Sequence, residues 1–108
     1  LINIRINLDS NGCVKVIEAR GHSSEGIKGQ NVLCGAVTVL LKSAAKVIYS
    51  DNTIKSSGTA EEPGNLYFKI VDLPVERRSW VKGITDILIA GLFDLEGQFK
   101  NEINVILE

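Results

Sequence analysis

A single histidine, His22, precedes a cysteine, Cys34, by twelve residues in the run Gly21-His22-Ser23-Ser24-Glu25-Gly26-Ile27-Lys28-Gly29-Gln30-Asn31-Val32-Leu33-Cys34-Gly35-Ala36. A thiol attacks as the thiolate, and a neighbouring imidazole can take its proton. Cys34 falls where a glycine-bearing loop gives way to a long apolar helix, whose dipole favours negative charge at its start. Gly35 leaves space beside the thiol for a substrate carbonyl. The N–H groups of Cys34 and Gly35 are candidate donors to an oxyanion. The chemistry these types could do together is acyl transfer through a thioester.

Each residue also has a plainer reading. Cys34 can be a small buried hydrophobe at the head of a core helix, and His22 a loop histidine, exposed or hydrogen-bonded. The pair argues for chemistry more strongly than either member. Asn31 suits a helix N-cap; it could instead orient His22, as Asn does in Cys-His-Asn sites. One amide oxygen does not easily do both, and the cap is preferred. Cys13 reads as packing or surface, and a Cys13–Cys34 disulfide is disfavoured in a reducing compartment. One His and two Cys offer at most three soft metal ligands, without metal-binding spacing. Gly21, Gly26 and Gly29 do not match phosphate-cradling patterns, so no metal or cofactor is expected. Arg77-Arg78 reads as a solvated helix end, with an anion or partner contact as the sharper alternative.

The elements that must position this pair follow from periodicity. Ile2, Ile4, Ile6 and Leu8 alternate with polar residues, as in a half-buried strand. Asp9-Ser10-Asn11-Gly12 is a hairpin turn, and Cys13 to about Arg20 returns as a second strand. The loop from His22 to Gln30 leads into a helix from Val32 to about Ser50, with Leu33, Val37, Leu40, Leu41, Ala44 and Ile48 as its core stripe. Val39 and Val47 lie toward another side, which predicts a second covered face, such as a dimer contact. Thr53–Ala60 is a weak strand, Glu62-Pro63-Gly64-Asn65 a type II turn, and Leu66–Asp72 a strand. A second helix is expected from about Val75 to Glu96, burying Trp80, Ile84, Ile87, Leu88, Gly91 and Leu95, with Gly97 as its stop. Ile103, Val105 and Leu107 could form a last strand. The expected class is α+β in one domain, 1–108: two layers, with the helices on one face of a mostly antiparallel sheet, in the order strand-strand-helix-strand-strand-helix.

Twelve Lys and Arg against thirteen Asp and Glu give a net charge of −1, which argues against direct nucleic-acid binding. No uninterrupted apolar run reaches the roughly 18 residues of a membrane span. The first residues lack the order of a signal peptide. The expectation is a cytoplasmic protein without a membrane partner.

Gly21-His22, a loop holding Gly29, and Val32-Leu33-Cys34-Gly35-Ala36-Val37-Thr38 together resemble the Prp (YsxB-like) family of ribosomal-processing cysteine proteases. Length, the early Asn-Gly hairpin and the element order fit that family along essentially the whole chain. The resemblance implies a bacterial homodimer that removes the N-terminal extension of large-subunit ribosomal protein twenty-seven. It implies Cys34 as nucleophile and His22 as general base and acid. The Gly26/Gly29 loop would be a cover over the substrate peptide. Asn31 stands where the family usually has Asp, Ser23 and Gly35 where it usually has Ala, and Thr38 where it usually has Ser. The competing classes are a non-catalytic module that binds a ribosomal protein or ribosomal surface, and a structural homodimer without a site.

Overall fold

The computed structural model describes residues 1–21, 30–62 and 65–108. Strands β1 (Ile2–Leu8) and β2 (Val14–Arg20) form the first hairpin. Its turn is built by Asp9, whose Oδ1 accepts the N–H groups of Asn11 at 2.8 Å and Cys13 at 3.0 Å. Gly12 sits at φ 79°, a backbone region that favours glycine. Helix α1 (Gln30–Tyr49) follows, then β3 (Lys55–Glu62) and β4 (Asn65–Asp72). A single 3-10 turn, Val75–Arg77, leads into α2 (Arg78–Gln98), and β5 (Ile103–Leu107) closes the chain.

The fold is α+β, with one five-stranded sheet in the order β3-β4-β2-β1-β5. Three neighbouring pairs are antiparallel, and β5 runs parallel to β1. The alternation in β1 is observed at Ile2, Ile4 and Ile6, which are all buried. Leu8 is only half-buried, because the register with β2 shifts between Asn7 and Leu8. Of the expected α1 stripe, Leu33, Val37, Leu41, Ala44 and Ile48 are buried and Leu40 is half-buried. Within α1, Val32–Tyr49 is long and apolar enough to cross a bilayer by length and composition. It is not an uninterrupted apolar run, because Thr38, Lys42, Ser43 and Lys46 break it. Its buried stripe makes it the core helix of this fold.

Helix α2 departs from expectation. The buried residues are Val81, Thr85, Leu88 and Leu92, whereas Trp80 is 40% and Ile87 71% exposed. The face turned to the sheet is set by Thr85. Its hydroxyl donates to the Val81 carbonyl at 2.8 Å and accepts the Val14 N–H at 2.9 Å. A search for large apolar residues passes over such a threonine. Gly97 does not stop the helix, which runs on to Gln98. The left-handed residue after it is Asn101, at φ 68°. Arg77 is a tie between elements: its Nε lies 2.7 Å from Asp51 Oδ2 in the loop after α1.

Candidate active site

Topology selects one end of the sheet. Lys55 at the start of β3 pairs with Asp72 at the end of β4, beyond the stretch of β4 that pairs with Val16–Ala19 of β2. The C-terminus of α1 therefore lies at the β1–β2 hairpin end. Twenty helical residues span about 30 Å. They carry the first turn of α1 back to the end where β2 stops, β1 begins and β5 starts.

Gly21 stands at that end, directly before His22. Its φ is 106°, and a Cβ there would overlap the carbonyl oxygen of Leu1. Only glycine lets the chain leave β2 so close to the start of β1. His22, Gly26 and Gly29 lie outside the described residues, as do Pro63 and Gly64 of the expected turn. The pairing of Glu62 with Asn65 closes the β3–β4 hairpin around that turn.

Cys34 is the fifth residue of α1, a half-buried cysteine outside any disulfide, whose side chain packs against the core cluster. A helical side chain tilts toward the N-terminus, so the Cys34 side chain leans over the first turn. Gly35 is exposed, and a Cβ there would meet no atom of the described residues within 4 Å.

Two expectations need correction because α1 begins at Gln30, two residues early. Asn31 is the second residue of the helix, not the residue before it, and so is not its N-cap. The N–H groups of Cys34 and Gly35 lie inside the hydrogen-bonded ladder, where each is committed to the carbonyl four residues back. They are not open oxyanion donors. The open N–H groups are those of the first turn, at Gln30, Asn31 and Val32.

Cys13 has a different environment. It is 1% exposed, and its Sγ donates to the Arg78 carbonyl at 3.3 Å. Burial pushes its thiol up from the ordinary value, and Asp9 adds to this. The length of the sheet separates its end of the molecule from that of Cys34, and the two cysteines form no disulfide. Among the described residues no three His, Cys, Asp or Glu side chains stand together as metal ligands.

The two-layer fold with a half-buried cysteine near the head of its first helix defines a class: the chain belongs to the cysteine protease Prp family, which it matches over residues 1–104. A search of curated proteins gives no match. Among solved structures, it is similar to the essential ribosomal processing protease Prp from S. aureus in complex with a substrate peptide. That likeness has a TM-score of 0.80 at 16% identity and covers 100% of both chains. The same S. aureus protease with a covalently linked product peptide gives a TM-score of 0.79 at 16% identity, again over 100% of both chains. The protein SMU.848 from Streptococcus mutans gives 0.77 at 16% identity, over 99% of this chain and 93% of the other. These likenesses establish the fold, and membership of the family makes this chain a cysteine protease.

Proposed function

We propose that this protein is a Cys-His endopeptidase that removes the N-terminal extension of large-subunit ribosomal protein twenty-seven in the bacterial cytoplasm. The observation that carries the reading is the half-buried thiol of Cys34 near the head of α1, at the sheet end where the chain leaves Gly21 for His22. His22 takes the thiol proton. Cys34 Sγ attacks the scissile carbonyl carbon, and the peptide C–N bond breaks. The amine leaves with the proton from His22, and an acyl-enzyme thioester remains. Water hydrolyses the thioester with His22 again as base. The first-turn N–H groups of α1, over which the Cys34 side chain leans, are the donors available to the oxyanion. Asn31, at the second helical position, takes the place of a carboxylate as orienter of the His22 ring.

The proposal includes a homodimer. Leu40, Val47, Ile84 and Ile87 line an apolar groove of about 200 Å³ between α1 and α2, and Val39 and Ile87 are about two-thirds exposed or more. Such a patch suits a second copy of the chain. Ile87→Glu is expected to shift the protein from dimer to monomer in light scattering, and a wild-type monomer overturns this part.

The function is tested with a peptide carrying the N-terminal sequence of the source bacterium's large-subunit protein twenty-seven. The wild type is expected to cut it at one bond, and Cys34→Ala and His22→Ala to leave it intact with unchanged melting temperatures. Binding without cleavage would identify a non-catalytic module, and normal cleavage by Cys34→Ala would remove the thiol from the mechanism.

A further inference from the structure

On one side of α1, a groove of about 310 Å³ opens between the helix and the edge of the sheet. Its helical wall is Lys42, Ala45, Lys46 and Tyr49, and its sheet wall includes Gly58 and Ala60 of β3. The sequence explains why the groove exists. Ser56 and Gly58 pair with Ile70 and Phe68 of β4, so Ser56, Gly58 and Ala60 form the helix-facing row of β3. These side chains are too small to fill the space beside α1. Glycine is also required at 58, where a Cβ would lie 2.8 Å from the Tyr67 carbonyl oxygen.

The helical wall of the groove lies on the same flank of α1 as Cys34. Cys34, Thr38, Lys42, Ala45 and Tyr49 are spaced four, four, three and four residues apart, a single stripe on α1. This stripe lies beside the buried one formed by Leu33, Val37, Leu41, Ala44 and Ile48, on the flank that faces β3. The opposite flank, with Leu40, Ser43 and Val47, faces α2. Cys34 therefore stands on the flank of the groove, about two turns nearer the start of the helix than Lys42. β3 is the terminal strand of the sheet, so among the described residues its outer edge carries no ladder. An extended peptide can add to that edge and drop alternate side chains beside α1.

We infer that this groove is a substrate subsite, which takes an apolar side chain from an extended peptide paired to β3, about four to five residues from the scissile bond. The inference rests on the protease reading above. The distance comes from the helix rise: Lys42 and Ala45 lie about 12 and 16 Å along α1 from Cys34, and an extended chain covers that in about four to five residues. Lys42 and Lys46 line the groove, and lysines there cover apolar surface with their stems while keeping their ammonium groups in water. The site therefore accepts an apolar side chain and repels a basic one.

The test uses the peptide named above and the full-length protein. Replacing residues of the peptide one at a time by Lys is expected to lower kcat/KM by about tenfold or more four to five residues from the cut. Lys42→Glu is expected to restore cleavage of that Lys-bearing peptide. Ala45→Trp, which fills the groove, is expected to slow cleavage of the parent peptide by a similar factor. Its melting temperature and the rate of Cys34 alkylation by iodoacetamide report that the fold and the thiol are intact. A wild type that leaves the parent peptide uncut overturns the protease reading and the subsite together. A wild type that cuts it, with Ala45→Trp equally fast and the Lys scan flat at those positions, overturns the subsite alone.

Discussion

The backbone of Gly21 lies against the carbonyl oxygen of Leu1 so closely that a Cβ at residue 21 would overlap it. This contact joins the last residue before His22 to the start of β1. At φ 106° the position also excludes L side chains on conformational grounds. Gly21→Ala is therefore expected to be destabilising by about 1–3 kcal/mol from backbone strain alone. For a domain of this size that corresponds to a melting temperature lower by several degrees. Because the strain sits beside the proposed general base, cleavage should fall further than the loss of folded protein explains. A variant with wild-type melting and turnover would show that the chain can leave β2 by another path.

Thr85 joins α2 to the sheet through the Val14 N–H, 2.9 Å from its hydroxyl, and both groups are buried. Thr85→Val keeps the shape and removes the acceptor, leaving a buried donor unpaired. The expected cost is about 1–3 kcal/mol, read from denaturant midpoints. Thr85→Ser keeps the hydroxyl, so it should recover most of the loss. Equal stability of the Val and wild-type proteins would mean that the hydrogen bond contributes nothing net.

Thr85 also marks where the sequence stops being legible. The β1 strand, the hairpin turn and the α1 core stripe could be read from alternation and helical spacing, because residues that bury there are apolar. On α2 the buried face is fixed by a polar residue, so a search for large apolar side chains selected Trp80 and Ile87, both exposed. The same limit applies at the site. Residue types and spacing singled out Cys34, but whether its N–H is open depends on where α1 begins. A start at Gln30 rather than Val32 moved Asn31 into the helix and closed the N–H groups of Cys34 and Gly35. The groove had a sequence signal in the stripe from Cys34 to Tyr49. It became visible only once Ser56, Gly58 and Ala60 were seen to leave the opposite wall low.

Asp51 should make stability depend on acid. Hydrogen bonds from the Thr53 hydroxyl and N–H, and then the Arg77 guanidinium, hold its carboxyl below the usual value of 3.8. A group whose pKa is lowered by folding stabilises the protein above its unfolded pKa. That contribution is lost as pH falls through the folded value. Asp51→Asn should therefore be less stable than wild type at pH 7, and the gap should close below about pH 4. Urea midpoints at a series of pH values check this, and a gap that stays constant into acid would place the effect outside the carboxylate charge.

Gly35 separates stability from chemistry next to the thiol. It sits within α1, where glycine is less favourable than alanine by roughly 0.5–1 kcal/mol. A Cβ added there would meet none of the described residues within 4 Å. Gly35→Ala should raise stability by about that amount, with a melting temperature higher by a few degrees. The methyl group would point into open space and the residue's N–H is already committed within the helix, so cleavage should be little changed. A sharp rise in KM with an otherwise stabilised fold would mean that substrate passes directly over residue 35. A fall in kcat at unchanged KM would instead mean that the helix opens during the reaction and frees the residue 35 N–H for the oxyanion.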